Sequence, residues 1–310
     1  MTSQPTQSRK TITWNRVRKN LLRIVKNCTP PILHGPLGWK EELQGEIVEG
    51  IQSRDSMSDP VEFNLPVTHP NQLWPGFDET PISMVTRQIR NHLWAMPENE
   101  LMVLSAICQM LKPRTVFEFG TFTGASTLAI ASNTPADTKI HTLDIPPKDR
   151  KSHRTGVGSD IPFEFEIGQA FRQTQWEKKI TVHTGDTRQF DVADFQQKVD
   201  LVFIDADHTY PFVKNDTEKA IEMLKPGGLI LWHDYRWDDD APECAGVTRW
   251  VNEFYESVGG CYEIEGTRFA IFDSAFATGD FGSTDNDANE MTPEAIDLDS
   301  SVMESGEVAA

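Results

Sequence analysis

The feature that most constrains the fold is an alternation of short apolar runs and helical patterns between Thr115 and Asp273. Apolar runs with few polar interruptions, joined by helices, are typical of a parallel sheet that is covered on both faces. The alternation predicts five strands, at residues 115–119, 140–144, 180–183, 200–205 and 228–232. Helical patterns separate most of these strands, most clearly at Gly124–Ser132 and Val213–Leu224.

Two further elements follow the fifth strand. Residues 245–257 place Trp250 and Phe254 on one face of a helix. The stretch "CYEIEGTRFAIFD" then predicts a hairpin that turns at Glu265-Gly266. We therefore predict an α/β, Rossmann-like and doubly wound fold with a seven-stranded sheet. The sheet is expected to be mostly parallel with an antiparallel last strand, and a helical and irregular extension precedes it.

Composition divides the chain into three parts. Residues 1–95 form an N-terminal extension, in which a basic amphipathic helix at 13–28 is followed by a Pro-rich cover segment. Residues 96–273 form the sheet domain. Residues 274–310 contain nine acidic residues and no Lys or Arg, so we expect a disordered, solvated tail.

The helix at 13–28 allows two interpretations. Leu21 and Ile24 lie on its apolar face, whereas Arg23 and Lys26 lie on a basic face. The helix can pack on the main domain with its basic face in water, which we favour, or it can bind a membrane surface or a partner.

Bulk properties exclude several classes of protein. The formal net charge of −18 disfavours binding to nucleic acids, whose phosphates an acidic body repels. No apolar run reaches the length of a membrane span, and the N-terminus lacks the apolar region of a secretory signal. The four cysteines form no C-x-x-C pair, which is typical of reduced thiols: Cys28, Cys108, Cys244 and Cys261. We expect a cytoplasmic protein; its oligomeric state is open, with a homodimer as one option.

A glycine turn follows the first predicted strand, in "VFEFGTFTGAST". Glycines at a turn between a strand and a helix allow a tight bend and the close approach of a ligand. Phe122 stands where a dinucleotide fingerprint has its second glycine, so the turn is not an NAD site. It has instead the form E-x-G-x-x-x-G-x-S, from Glu118 to Ser126.

This turn resembles that of the class I S-adenosylmethionine-dependent methyltransferases, above all the catechol and caffeoyl-CoA types and bacterial tailoring enzymes. The resemblance spans about residues 97–273 and implies a bound S-adenosylmethionine. An acid 24 positions after Gly120, Asp144, can accept hydrogen bonds from both ribose hydroxyls. The resemblance assigns the remaining contacts as follows: Gly120, Phe122 and Ser126 at the methionine moiety, Gly124 in the cofactor-binding turn, Glu118 near the amino group of the cofactor, and Asp186 and Thr187 at the adenine.

Ionisable residues end the fourth and fifth strands. Because the carboxyl ends of neighbouring parallel strands meet at one edge, we expect Asp205, His233 and Asp234 to converge. Two carboxylates and an imidazole can hold a divalent metal ion. The resembling metal-dependent enzymes usually have Asp in place of His233, so Mg²⁺ is less well suited here than Mn²⁺. In the alternative, Asp205 serves the cofactor and no metal binds.

Methyl transfer to a hydroxyl needs a group that removes its proton. His208 lies three residues beyond Asp205, at the place where the resembling metal-dependent enzymes commonly have a lysine base, and its pKa suits neutral pH. His233 is the rival base in the absence of a metal.

The resemblance implies a methyltransferase that acts on a small molecule, with a hydroxyl as the expected acceptor. Two alternatives stay open. The first is a methyltransferase that acts on nitrogen or works without a metal. The second is a non-catalytic protein that binds the cofactor or a partner.

Overall fold

The structure is a computed structural model, and it describes residues 14–27, 61–86, 96–146, 166–236 and 245–274. The strands are β1 (Val67–Thr68), β2 (Thr115–Phe119), β3 (Lys139–Asp144), β4 (Ile180–Thr184), β5 (Val199–Ile204), β6 (Leu224–Trp232), β7 (Cys261–Ile264) and β8 (Ala270–Asp273). The α-helices are α1 (Trp14–Asn27), α2 (Pro70–Leu73), α3 (Glu98–Leu111), α4 (Ala125–Ser132), α5 (Tyr210–Met223) and α6 (Ala245–Val258). Short 3-10 turns lie at Phe77–Glu79, Glu177–Lys179 and Ala193–Phe195.

All eight strands form one sheet in the order β1-β7-β8-β6-β5-β2-β3-β4. The strands pair in parallel except at β8, which is antiparallel to both β6 and β7. This confirms the predicted Rossmann-like α/β class and the predicted hairpin. The predicted seven strands become eight because β1 adds a two-residue edge, which is too short to give an alternation signal in the sequence.

Helices cover both faces of the sheet, as the doubly wound prediction requires. On one face, Leu104 of α3 and Ile130 of α4 join a buried cluster with Leu201 and Leu231 of the central strands. On the other face, the indole nitrogens of Trp232 and Trp250 both donate to the hydroxyl of Thr217 on α5, at 2.9 and 2.8 Å. Both faces of β5 and of residues 228–232 of β6 are therefore buried, which explains why these residues are almost wholly apolar.

Several parts of the N-terminal extension contact the domain. Helix α1 packs against α5 and α6 with Val17 and Leu21 buried, which agrees with the packed-helix interpretation. Before β1, the backbone N–H groups of Asn64 and Leu65 donate to the Tyr235 hydroxyl. Residues 29–60 and 87–95 of the predicted cover segment and residues 275–310 of the acidic tail lie outside the described residues. None of the helices in the described ranges combines the length and apolar character that a membrane crossing needs.

The turn after β2 is fitted closely to its neighbours. Gly120 has φ +95°, and a Cβ there would lie 1.9 Å from the backbone oxygen of Asp205, at the end of β5. Gly124 has φ +84°, and its Cβ would lie 2.7 Å from the ring of Phe171. Both glycines are therefore required by the packing of the protein itself as well as by their left-handed backbone.

A buried carboxyl group holds the strand, the turn and the helix together. Glu118 of β2 is fully buried and accepts hydrogen bonds from the hydroxyls of Ser126, Thr127 and Thr142, at 2.6, 2.5 and 2.6 Å. Burial raises the pKa of Glu118 to about 7, although the three hydroxyls oppose the shift. The carboxyl group ties the first turn of α4 to β2 and β3.

We predict that Gly120→Ala lowers the free energy of unfolding by about 3 kcal/mol or more, because backbone strain and a steric clash add together. Gly266→Ala is the matched control, since Gly266 has φ +74° but no atom within 4 Å of a Cβ. The control is expected to lose about 1 kcal/mol from strain alone. Urea unfolding of both variants measures the difference, and equal losses would contradict the close packing.

We predict that the carboxyl group of Glu118 makes stability depend on pH. Its pKa is raised on folding from 4.5 to about 7, so its contribution to stability is complete below pH 4.5 and is lost as the pH rises to 7. The loss amounts to about 3 kcal/mol. The variant Glu118→Gln has no carboxyl group to titrate at this position. Urea unfolding should therefore show that the free energy of unfolding of the variant, minus that of the native protein, increases between pH 4.5 and pH 7. A difference that does not change with pH would refute the prediction.

Candidate active site

The carboxyl edge of β2 and β3 forms the first half of the site. Asp144, at the end of β3, accepts a hydrogen bond from the backbone N–H of Phe122 at 2.6 Å. Phe122 has φ +46°, so this bond helps to hold a backbone conformation that non-glycine residues rarely adopt. The N–H of Gly168 donates to the Phe122 carbonyl oxygen at 2.9 Å and fixes the turn from the other side.

The end of β4 lies next to Asp144. The N–H of Gly185 donates to the carbonyl oxygen of Asp144 at 3.0 Å and brings Asp186 and the buried Thr187 to the same edge. Both carboxylate oxygens of Asp186 accept from Arg188, whose Nη2 lies 2.6 Å away. The predicted ribose and adenine residues are thus neighbours, but sequence analysis did not anticipate the guanidinium on Asp186.

The edge of β5 and β6 forms the second half of the site. Asp205, His208 and Asp234 each offer one ligand atom within 4.8 Å of the others. His208 Nε2 lies 3.6 Å from Asp205 Oδ1 and 3.3 Å from Asp234 Oδ2. Because Ile204 and Trp232 are aligned in the parallel pair of β5 and β6, the residues that follow them come together as predicted.

The imidazole ring of His233 has carboxylates next to both of its nitrogens, which sequence analysis did not predict. Its Nδ1 lies 3.3 Å from both Asp205 Oδ1 and Asp234 Oδ2, and its Nε2 lies 2.8 Å from Glu100 Oε2. Burial alone would lower the pKa of His233, but the charges of Asp234 and Asp205 outweigh it and raise that pKa well above its usual value. Both ring nitrogens of His233 thus face carboxylates, an arrangement that the predicted role as a metal ligand or a base did not anticipate.

Sequence analysis missed two residues of this cluster, Glu100 and Arg268. Arg268 donates to Glu100 from its backbone N–H, Nε and Nη2, at 2.9, 2.9 and 2.7 Å, and its Nη1 donates to Asp234 Oδ1 at 2.7 Å. Burial alone would raise the pKa of Glu100, but hydrogen bonds from His233 and Arg268 outweigh it and lower that pKa to about 2. An acid on the apolar face of α3, beside Leu101 and Leu104, was the available signal for Glu100.

These contacts test whether the cluster fits a divalent cation. The donor types suit Mn²⁺ better than Mg²⁺, since an imidazole is among them. However, the oxygens of Asp205 and Asp234 that face each other both lie 3.3 Å from His233 Nδ1, and Arg268 occupies the other oxygen of Asp234. A divalent cation would compete with two positive groups that are already in place, so the arrangement does not fit one.

Glu118 and Ser126 are placed differently from the other predicted cofactor residues. Glu118 is fully buried and its oxygens accept hydrogen bonds from hydroxyl groups, one of which belongs to Ser126. Ser126, at the start of α4, is itself 7% exposed. The structure brings together the turn residues, Asp144 and Asp205 at one continuous edge of the sheet.

Comparison with known proteins agrees with this architecture. Residues 117–235 match the family described as "Methyltransferase domain". The chain is 31% identical over 135 residues to the caffeoyl-CoA O-methyltransferase of Stellaria longipes, covering 44% of this chain and 52% of that enzyme. It is 26% identical over 192 residues to the caffeoyl-CoA O-methyltransferase of Populus kitakamiensis, covering 58% and 75%.

The solved structures similar to this chain include an O-methyltransferase from Bacillus cereus in complex with SAH. The identity is 16% and the TM-score 0.45, over 64% of this chain and 95% of that one. The fold assignment depends on the strand order of the chain itself. Residues 117–235 match a methyltransferase domain family, and the chain is similar over 44% to 58% of its length to caffeoyl-CoA O-methyltransferases.

Proposed function

We propose that the protein transfers a methyl group from S-adenosylmethionine to a hydroxyl oxygen of a small molecule. The observation that carries the proposal is the contact of the turn at Gly120 with the backbone of Asp205. This contact would put the part of the sheet edge that we assign to the cofactor, called the cofactor side, against the cluster that contains His208. The relatives are named as O-methyltransferases, which supports oxygen as the acceptor atom.

The cofactor side would hold S-adenosylmethionine through its backbone and its acids. Asp144 would bind the ribose, because its carboxylate already lies at the turn and within the edge of the sheet. The expected adenine and methionine contacts are as follows: Asp186 and Thr187 at the adenine, and Gly120, Phe122 and Ser126 at the methionine, with Gly124 in the same turn. Glu118 would act through Ser126, whose hydroxyl it orients. When bound, S-adenosylmethionine supplies an electrophilic methyl group on a sulfonium.

The acid-base side would activate the acceptor. A hydroxyl is a poor nucleophile until its proton is removed. We assign this role to His208. Its Nε2 faces the carboxylates of Asp205 and Asp234 at 3.6 and 3.3 Å and so already carries a proton, which means that the acceptor's proton would go to Nδ1. The imidazolium that results would keep its Nε2–H next to these two carboxylates, which stabilise the charge.

We predict that Asp144→Ala weakens the binding of S-adenosylhomocysteine by about 10- to 100-fold, the value of a hydrogen bond to a charged group. Isothermal titration calorimetry measures the affinity. Asp137→Ala is the control, because Asp137 is exposed at the opposite edge of the sheet, and its affinity should match that of the native protein. Absence of binding to the native protein would refute the proposed function.

We predict that His208→Ala lowers the rate of methyl transfer by about 10²- to 10⁴-fold, the usual contribution of a general base. The affinity for S-adenosylhomocysteine should stay within about twofold, because His208 is placed on the acceptor side. The assay uses labelled S-adenosylmethionine with a panel of small hydroxyl compounds that includes caffeoyl-CoA. His69→Ala, at an exposed position, is the control. Methylation of nitrogen, or an unchanged rate in the variant, would contradict the assignment.

A further inference from the structure

The ring of His233 is held by three carboxylates from three different parts of the chain. Asp205 follows β5, Asp234 follows β6, and Glu100 lies in the first turn of α3. The ring is 5% exposed and packs between the aromatic rings of Phe203 and Phe269, with centroid distances of 6.4 and 5.4 Å. Water has little access to it, so its charge is set by these neighbours.

The partners of His233 determine its protonation by their chemistry. An ionised carboxylate only accepts hydrogen bonds, so a ring nitrogen that contacts one must carry a proton. Glu100 Oε2 faces Nε2 at 2.8 Å, while Asp205 and Asp234 both face Nδ1 at 3.3 Å. Both nitrogens therefore carry protons, and the ring is a cation.

We propose that His233 is a fixed internal cation that takes the place of a divalent metal ion between Asp205 and Asp234. It contacts Asp205 Oδ1 and Asp234 Oδ2, on two of the residues that could otherwise hold a metal ion, and it repels a second positive charge. The inference rests on the proposed function. It implies that methyl transfer by this protein takes place without a bound metal ion. His208 then acts beside a cation that belongs to the chain.

Glu100 and Arg268 are positioning residues for this arrangement. Glu100 accepts three hydrogen bonds from Arg268 and one from His233, so both of its oxygens are engaged twice. Arg268 in turn binds Asp234 Oδ1 and leaves Oδ2 turned towards His233 and His208. The network fixes the ring and limits which oxygens face the site.

The test is Mn²⁺ binding to the full chain, followed by electron paramagnetic resonance of the free ion, with S-adenosylhomocysteine present. We expect no stoichiometric binding to the native protein. His233→Asp removes a cation and adds an anion, so it should bind one Mn²⁺ per chain at least about tenfold more tightly than the native protein. His69→Asp makes the same exchange at an exposed position and should not gain the site.

Two results would overturn the proposal: stoichiometric Mn²⁺ binding by the native protein, or a folded His233→Asp variant that gains none. If His233→Asp does not fold, His233→Asn removes the charge without adding another and is expected to gain weaker binding. The native-protein measurement needs no variant. Calorimetry with S-adenosylhomocysteine tests the proposed function separately. A native protein that does not bind S-adenosylhomocysteine would refute the proposed function, whereas the Mn²⁺ measurements would still decide whether His233 excludes a metal ion.

Discussion

The close approach of Gly120 to the backbone of Asp205 is the constraint on which the rest of the site depends. A Cβ at position 120 would lie 1.9 Å from the Asp205 carbonyl oxygen, so the turn after β2 and the end of β5 meet without an intervening side chain. The turn carries the contacts that we assign to the methyl donor, and β5 leads into the acid-base cluster. In the proposed reaction, a donor and an acceptor that react in line would thereby be held at neighbouring places on one sheet edge.

Electrostatics at this edge is organised by paired charges. Glu100, Asp205 and Asp234 supply three carboxylates, and His233 and Arg268 supply two cations in contact with them. Loss of one partner from a buried network of this kind costs about 3–5 kcal/mol, because it leaves a charge without compensation. The geometry of His208 relative to Asp205 and Asp234 therefore depends on residues that lie outside its immediate contacts.

Sequence analysis predicted the features that follow from hydrophobic periodicity and from the pairing of neighbouring parallel strands. Apolar alternation located β2 to β6 within a few residues, and the parallel arrangement predicted that Asp205 and Asp234 would meet. The choice between His208 and His233 was not available from the sequence. Asp234 has φ +58°, and this local backbone turn has no signal in the residue types around it.

Long-range polar partners were also beyond sequence analysis. Arg268 and Glu100 are 168 positions apart, and hairpin composition gives no reason to expect an arginine at a buried carboxylate. Such pairs depend on tertiary packing, which brings α3 and the β7–β8 turn to one edge of the sheet. Charge on an apolar helix face, as at Glu100, is the general indication that a distant partner exists.

The central claim is that donor binding and acid-base chemistry meet where Gly120 contacts Asp205. A crystal structure of the protein with bound S-adenosylhomocysteine tests it most directly. The account predicts that the ribose hydroxyls contact Asp144 and that the sulfur faces the side of Asp205 and His208. A ligand bound elsewhere, or a sulfur turned away from His208, would contradict the account.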